Sequence, residues 1–346
     1  MRWVLAVLVA AAVSACGSTG DDDEASDGAG QGGNAGKAGS GGGSGETGAA
    51  GDPGSGGTSG SSSGGTSGSG GSGGHGGGAG TSGSAGTPMA DCTGTFGDPT
   101  LVMDGAGMRL GSLTLRADEL ELIYEDRPMD ETAPHHYRRS LRASKDELFP
   151  PGEELAVLDA ACDDPTWTRS GDLSNDGLRL YFACYETLAA EPQPIRVARR
   201  KTLDAPFVLD EATYGTSRSG IAIDSDELMI VTSPSVEAGP LYAHTRATTS
   251  DVFGPELTLV GLDGLLTPDL SSDGQHLFAS RYTDVNRNSL VTADRTGPTT
   301  FSTALTIRQL DEVEVVGSPS ISADCRSLYY VSVVAGPEFS IMVLRR

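Results

Sequence analysis

Two aspartates in the sequence have the type and spacing that acid–base chemistry needs. Asp172 and Asp269 each stand four residues before a second aspartate that is followed by glycine, in the similar segments 171–177 and 268–274. Two carboxyl groups about 6.5 to 9.5 Å apart suit hydrolysis of a glycosidic bond with inversion, and about 5 Å suits retention. The simpler alternative is that each carboxylate accepts hydrogen bonds from nearby backbone donors.

A second polar segment has the beginning of a calcium-binding loop. Asp284, Asn286 and Asn288 place oxygen ligands at alternate positions, as hard cations prefer. The rest of the pattern is missing, because Ser289 replaces the turn glycine and Arg295 stands where a bidentate glutamate belongs. The segment therefore predicts an ordinary polar hairpin tip.

The adjacent pair His135 and His136 lies in a connection between strands, with Asp130 and Glu131 nearby. Imidazole and carboxylate groups together can hold a metal ion. Two exposed histidines explain the pair more simply. We therefore predict neither a metal site nor a cofactor.

Four cysteines follow Cys16 in the chain: Cys92, Cys162, Cys184 and Cys325. An even number in an exported protein predicts two disulfides, for which three connectivities exist. None of the four has the close spacing of a zinc-binding pair, so metal ligation is not indicated.

The elements that must position these residues are repeats. Five segments share an alternating apolar pattern that ends in an acidic turn and continues into a second apolar run. The turn acids are Asp118, Asp176, Asp226, Asp273 and Asp324. In two copies glycine follows the acid, a strong hairpin signal because glycine tolerates the positive φ of a tight turn.

Further along each copy, an arginine stands five positions after an apolar residue, and a phenylalanine follows six or seven positions later in four copies. The arginines are Arg142, Arg200, Arg246, Arg295 and Arg346, and the phenylalanines are Phe149, Phe207, Phe253 and Phe301. These features indicate a third and a fourth strand. We expect the arginines to pair with turn acids such as Asp176 and Asp273. Four short strands in about 50 residues are typical of a β-propeller blade.

The last copy ends at Arg346 without its phenylalanine segment, whereas residues 96–102 near the start of the domain have that pattern. We infer that the N-terminal strand completes the last blade and closes an all-β propeller of five blades, with six blades as the alternative. Closure removes exposed sheet edges. It also favours the pairs Cys92–Cys325 and Cys162–Cys184 over the other two connectivities.

The segment Leu-Ser-x-Asp-Gly at 173–177, followed by Leu-Tyr-Phe at 180–182, resembles the WD40-like repeats of TolB-type periplasmic propellers. The likeness covers about residues 96–346 and implies the fold but no particular activity. The chain departs from that pattern where Glu119, Glu227 and Cys325 replace the turn glycine. The best-known members also have six blades.

The N-terminus has the order of regions of a secretory signal peptide, with Arg2, an apolar run at 3–13 and small residues before Cys16. Val-Ser-Ala-Cys at 13–16 resembles the lipobox of bacterial lipoproteins, which implies cleavage after residue 15 and lipidation of Cys16. Gly17 then suggests the outer membrane, on its periplasmic face or at the cell surface. An ordinary signal peptide with a chance cysteine is the alternative.

Residues 16–90 form a linker between this signal and the folded domain at 91–346. From residue 17 to 90 the chain holds 31 of the 49 glycines and no aromatic residue, so it cannot bury enough apolar surface to order itself. We predict a disordered linker. The domain holds 18 of the 19 aromatic residues and is long enough to bury a full core.

Charge narrows the functional classes. The domain has 22 Lys and Arg against 40 Asp and Glu, a net charge of −18, which repels nucleic acid. The domain sequence has no P-loop, no HExxH and no nucleophile elbow. Five-bladed glycosidases need three placed acids, and only two are found.

We therefore expect a monomeric, lipid-anchored module of the cell envelope that binds or scaffolds protein or glycan partners. The alternative is an envelope hydrolase that uses Asp172 and Asp269 at the mouth of the channel.

Overall fold

In the computed structural model, the described part of the chain is residues 92–346 without 106, 130–132, 163, 165–167, 186–191, 218, 234–238, 285–286, 310–315 and 334–338. The predicted signal peptide, Cys16 and the linker lie outside the described residues. No helix in the described part has the length and apolar character needed to cross a bilayer.

The described residues form twenty strands in five antiparallel sheets of four strands each. Blade 1 contains β2 (Arg109–Leu115), β3 (Glu121–Arg127), β4 (His136–Leu141) and β5 (Glu153–Glu154). A short helix, α1 (Ala156–Asp159), leads to blade 2, with β6 (Thr168–Leu173), β7 (Arg179–Tyr185), β8 (Gln193–Arg199) and β9 (Val208–Ser217). Blade 3 contains β10 (Ile221–Ile223), β11 (Met229–Thr232), β12 (Tyr242–Thr245) and β13 (Leu257–Thr258). Blade 4 contains β14 (Leu265–Leu270), β15 (His276–Asp284), β16 (Arg287–Asp294) and β17 (Leu305–Gln309). Blade 5 contains β18 (Val316–Ile321), β19 (Ser327–Val333), β20 (Phe339–Arg345) and β1 (Thr100–Asp104).

The innermost strands of the five blades make a closed ring. β2 contacts β6, β6 contacts β10, β10 contacts β14, β14 contacts β18, and β18 contacts β2. The prediction of a five-bladed propeller is confirmed, and the six-blade alternative is wrong. The ring has five blades because the chain has five copies of the repeat, and the fourth strand of the last blade comes from the start of the domain.

Strand β1 supplies this closure. It pairs antiparallel with β20, from Thr100 opposite Val343 to Asp104 opposite Ser340. A disulfide between Cys92 and Cys325 lies beside the closure, and a second joins Cys162 to Cys184 within blade 2. The N-terminal strand thus completes blade 5, as the sequence predicts.

Each blade buries both faces, because it packs between two neighbours. On β3, Ile123 packs in the core shared with blade 2, and the next residue, Tyr124, packs in the core shared with blade 5. Adjacent strand residues point to opposite faces, so a strand between two cores is apolar at consecutive positions. This explains the continuous apolar runs after each turn acid.

The five acidic turns use one backbone conformation. In blade 2, the Ser174 hydroxyl donates to the Asp176 carboxylate at 2.7 Å, and the Leu178 amide donates to the same oxygen at 2.9 Å. The next residue after the acid has positive φ in every blade: Glu119 (60°), Gly177 (71°), Glu227 (56°), Gly274 (64°) and Cys325 (58°). Only glycine adopts this conformation without strain. The strain at Glu119, Glu227 and Cys325 therefore indicates that stabilising contacts of these residues offset it.

The predicted pairing of the arginines with the turn acids is wrong. Arg200 donates through Nε to the backbone carbonyl of Gly177 at 2.6 Å, and its guanidinium lies 4.6 Å from the centre of the Phe207 ring. Asp176 is already occupied by hydrogen bonds of its own turn. The same arrangement recurs in blades 1 and 3, where Arg142 donates to the Glu119 carbonyl and Arg246 to the Glu227 carbonyl, each over a phenylalanine ring.

The two strained glutamates, Glu119 and Glu227, connect neighbouring blades. Tyr181 of blade 2 donates its hydroxyl to Glu227 of blade 3 at 2.5 Å, and Arg246 donates to the Tyr181 oxygen at 3.0 Å. Tyr329 of blade 5 donates to Glu119 of blade 1 at 2.6 Å in the same way. Burial, reinforced by the nearby carboxylate, raises the pKa of Tyr329 to about 12, so its phenol keeps the proton that it donates.

A third buried carboxylate joins blades 1 and 2. Glu121, which is fully buried, accepts two hydrogen bonds from Arg200, at 2.7 and 2.8 Å, and one from Arg139 at 2.7 Å. Burial alone raises the pKa of Glu121, but the hydrogen bonds from Arg200 and Arg139 outweigh it and lower the pKa overall. The charged form is therefore the one that the fold stabilises.

These contacts predict the effect of removing the Tyr181 hydroxyl. The Tyr181→Phe variant should lose about 1.5 to 3 kcal/mol of unfolding free energy, because a hydrogen bond to a buried charged group is broken. Denaturant unfolding followed by circular dichroism measures this loss.

The matched control is Tyr137→Phe, which removes a buried hydroxyl that donates to the neutral Ser170 carbonyl at 2.9 Å. It should cost about 1 kcal/mol. A loss in Tyr181→Phe no larger than in Tyr137→Phe would show that the Glu227 contact does not hold the blades together.

Candidate functional site

The two channel acids lie on innermost strands, Asp172 on β6 and Asp269 on β14. Both are buried, with 8% and 7% of their surface exposed. Both line two cavities on the propeller axis, one at the end that carries the acidic turns and one at the opposite end. The structure therefore places both predicted residues at the constriction of one channel.

Asp172 connects three blades. One carboxylate oxygen accepts a hydrogen bond from the Thr114 hydroxyl of blade 1 at 2.6 Å and from the Leu173 amide at 2.9 Å. The other oxygen accepts from the Ile223 amide of blade 3 at 2.8 Å. These contacts match the simpler alternative from the sequence, in which the Asp172 carboxylate accepts hydrogen bonds from nearby backbone donors.

Asp269 has the same role between blades 4 and 5. Its two oxygens accept hydrogen bonds from the Leu270 amide at 2.9 Å and from the Ile321 amide at 2.5 Å. All four backbone donors occupy the same position of the repeat. Two of them, Leu173 and Leu270, follow the acids themselves, and the other two are the equivalent residues Ile223 and Ile321. The polar position of the innermost strand is thus used to join the strands around the axis.

Both carboxyl groups have raised pKa values. Burial raises the pKa of Asp172 to about 6, although the hydrogen bonds from Thr114, Ile223 and Leu173 oppose the rise. Burial and the negative charge of Asp172 raise the pKa of Asp269 well above its ordinary value. The two groups therefore interact across the channel and disfavour the state in which both are charged.

The channel has little free space beside these acids. The cavity at the turn end has a volume of about 50 Å³ and the cavity at the opposite end about 10 Å³, counted as the space open to the centre of a water molecule. One water needs roughly 10 to 15 Å³ on that measure. The channel as it stands accommodates a few waters but no sugar ring.

The opposite end of the channel contains two strained residues. Thr267 has φ 46° and Ser318 has φ 48°, at irregularities in β14 and β18 just before Asp269 and Ser320. The Thr267 hydroxyl accepts the Ser318 amide at 3.2 Å, which connects the two blades. These bulges set the direction of the polar side chains that follow them.

The histidine pair is not exposed, contrary to the prediction. His135 is buried, with 7% of its surface exposed, and lies 3.1 Å from Glu125. His136 is half-buried and lies 3.0 Å from Asp159 on α1. Adjacent residues at the start of a strand point to opposite faces, so only one of the two side chains, that of the buried His135, enters the interface with blade 2. The neighbours expected for them, residues 130 and 131, lie outside the described residues.

His136, Glu154 and Asp159 place one ligand atom each within 4.8 Å of one another. One imidazole and two carboxylates are a donor set that a divalent cation accepts. The hydrogen bond between His136 and Asp159 explains the arrangement without an ion.

The predicted hairpin tip at 284–288 is confirmed. Asp284 at the end of β15 pairs with Arg287 at the start of β16. Residues 285 and 286 lie outside the described part, so the fragment of a calcium loop is not described as a whole.

The contacts of Glu119 and Glu227 were not predicted from the sequence. Their position in the sequence could have indicated these contacts, because each glutamate stands where other copies of the repeat have glycine. A strained non-glycine residue at a turn conformation that recurs in all five blades indicates that its side chain has a role that offsets the strain.

Comparison with known proteins assigns no family to this chain. No protein-family model matches the chain, and no curated protein matches it. Similar solved structures include TolB from Acinetobacter baumannii, with 13% identity, a TM-score of 0.40, and coverage of 69% of this chain and 55% of that one.

Two enzymes are also among the similar structures. A GH43_1 enzyme from Xanthomonas citri has 15% identity, a TM-score of 0.45, and coverage of 70% of this chain and 90% of its own. The periplasmic gluconolactonase of Pseudomonas aeruginosa has 16% identity, a TM-score of 0.35, and coverage of 66% and 68%. These levels of similarity transfer no activity to this chain.

The raised pKa of Asp172 predicts a pH dependence of stability. Because the folded pKa, about 6, exceeds the ordinary value of 3.8, the stabilising contribution is fully present below about pH 4 and is lost as the pH rises through 6. At about 1.4 kcal/mol per pKa unit, the stability advantage of the wild type over Asp172→Asn should shrink by on the order of 2 kcal/mol between pH 4 and 7. Urea unfolding at a series of pH values measures it.

Asp176→Asn is the control of opposite sign. Burial tends to raise the pKa of Asp176, but hydrogen bonds from Ser174 and the Leu178 amide lower it overall. Its stabilising contribution is therefore lost as the pH falls. If Asp172→Asn and Asp176→Asn follow the same trend with pH, the assignment for Asp172 is wrong.

Proposed function

We propose that this protein is a non-catalytic binding module of the bacterial cell envelope, presented on a lipid-anchored linker. The observation that carries this proposal is the state of Asp172 and Asp269. Both carboxylates accept hydrogen bonds from neighbouring blades, and the channel between them admits only a few waters. Groups used in this way hold a rigid ring together, and a rigid ring is a suitable support for a binding surface.

One observation favours hydrolysis as a second candidate. A buried carboxyl group with a pKa of about 6, next to a second carboxyl group, has the protonation behaviour of a general acid. Against this, a general acid must reach the leaving group of its substrate. The small volume beside Asp172 argues for the binding module.

Assays of the full chain against polysaccharides and peptides separate the two functions. We expect no turnover from the wild-type protein, and partner binding that is unchanged in folded Asp172→Asn and Asp269→Asn variants. Product analysis by mass spectrometry measures turnover, and circular dichroism checks that each variant folds. Turnover that either substitution abolishes would refute the binding module and support the hydrolase.

The envelope location is part of the proposal and rests on the N-terminal sequence. The lipobox-like segment before Cys16 supports acylation, and more than one acyl chain gives stable anchoring. Two disulfides in the folded domain fit an oxidising compartment outside the cytoplasm. TolB and a periplasmic gluconolactonase are among the similar structures, which agrees with this compartment.

The anchor has its own test. Expressed in a bacterium with radiolabelled palmitate, the wild-type chain should carry label and sediment with membranes, whereas Cys16→Ser should carry none and should leave the membrane fraction. Cys92→Ser is the control for loss of a thiol elsewhere and should keep the label. Label retained in Cys16→Ser would contradict the lipid anchor.

A further inference from the structure

A polar pocket lies between blades 2 and 3, away from the channel. Its volume is about 280 Å³, close to the lower end of the range for small-molecule sites, roughly 300 to 1,000 Å³. It is therefore several times larger than either cavity of the channel. The lining residues are Arg179, Tyr181, Arg199, Tyr214, Glu227, Arg246, Thr249 and Ser250.

The pocket is rich in arginine within an acidic domain. Three arginines line it and Glu227 is the one carboxylate among its lining residues. Glu227 is itself occupied, because it accepts the Tyr181 hydroxyl and pairs with Arg179. Three arginines around one cavity, in a domain with net charge −18, concentrate guanidinium donors that can hydrogen-bond an anion.

One of these arginines has an unused donor. Arg179 Nε is buried, and no acceptor in the described part of the chain lies within hydrogen-bond distance of it. A buried donor without a partner is destabilising, so such groups in native proteins normally meet a water or a ligand. The unpartnered nitrogen belongs to a residue that lines the pocket and whose side chain is 29% exposed, so a small rotation of Arg179 on ligand binding would bring it to an acceptor.

The neighbouring acids limit the charge of the ligand. Asp176 pairs with Arg179 at 3.0 Å, and Asp210 pairs with Arg199 at 2.7 Å. Together with Glu227 they offset much of the positive charge of the wall. A carboxylate with a single charge fits this balance better than a phosphate, which carries about −1.5 to −2.

The remaining lining suits a sugar. The Tyr181 and Tyr214 rings meet edge to face, with their centres 6.2 Å apart, and Tyr214 also lies 5.9 Å from the Arg199 guanidinium. Thr249 and Ser250 are exposed at the pocket and add hydroxyl groups to it. Aromatic faces beside hydroxyl and guanidinium donors can contact both the ring and the polar groups of a monosaccharide.

The geometry points to this pocket as a binding site for one uronic acid residue of an acidic polysaccharide, with the carboxylate between Arg179 and Arg199. This inference rests on the proposed binding function and names its ligand class. The pocket adjoins the Tyr181–Glu227 contact, so the site is held by two blades at once.

Calorimetric titration of the full chain with trigalacturonate tests the inference. Its methyl-esterified form is the matched ligand, because it keeps the sugar and removes the charge. We expect binding of trigalacturonate, at least tenfold weaker binding of the ester, and at least tenfold weaker binding of trigalacturonate by Arg199→Gln and by Arg179→Gln. Arg326→Gln, which removes an exposed charge from the turn of blade 5, should bind as the wild type does.

Arg199 is half-exposed, so its substitution leaves the fold intact even where Arg179→Gln, which also contacts Glu227, does not fold. No binding of trigalacturonate, equal affinity for the ester, or unchanged binding by Arg199→Gln would overturn the site. Inorganic phosphate that competes more tightly than trigalacturonate would overturn the carboxylate assignment.

The titration also separates this site from the proposed function. Binding of a neutral glycan or a protein that is unaffected by Arg199→Gln would leave the binding module standing and refute the pocket. Cleavage products of trigalacturonate in the titration cell would refute the non-catalytic proposal and leave the pocket as a substrate site.

Discussion

The pairing of β1 with β20 is the constraint on which the rest of the structure depends. Without it the last blade has three strands and an open edge, and blade 5 loses the strand that leads directly into blade 1 and adds to contacts such as that of Tyr329 with Glu119. The Cys92–Cys325 disulfide and the stacking of Arg346 on Phe96 secure the same closure. Once the ring is closed, the innermost strands surround the axis, and the polar residues that they carry become buried.

Burial of these polar residues is what determines their role. A carboxylate removed from water needs donors, and in a propeller the nearest donors are the backbone amides of adjacent innermost strands. Asp172 and Asp269 take such amides, as Glu119, Glu227 and Glu121 take tyrosine and arginine side chains farther from the axis. The acidic groups of this domain therefore hold blades together at two distances from the centre.

This division of roles places the proposed binding function outside the channel. The channel is narrow and its acids are engaged, whereas the interface between blades 2 and 3 opens into a pocket with an unpartnered buried donor. The strained turn residue Glu227 belongs to both the blade contact and the pocket wall. Ligand binding there would act on a contact that joins two blades.

The sequence by itself determined the four-stranded repeat and predicted the closure by the N-terminal strand, and it favoured five blades over six and one of the three disulfide connectivities. These features follow from local rules: alternation with period two, turn residues that accept positive φ, and a repeat length that leaves one strand to be supplied from the start. The sequence also identified Asp172 and Asp269 as the polar position of the innermost strand.

Only the tertiary structure decided which groups meet across blades. The partner of Arg200, the burial of His135, the Glu227 contact with Tyr181 and the arginine pocket all depend on how far one twisted sheet lies from the next. Sequence periodicity fixes the face on which a side chain lies but not the distance to the facing sheet. For the same reason the sequence could name two carboxylates on the axis but not the volume between them.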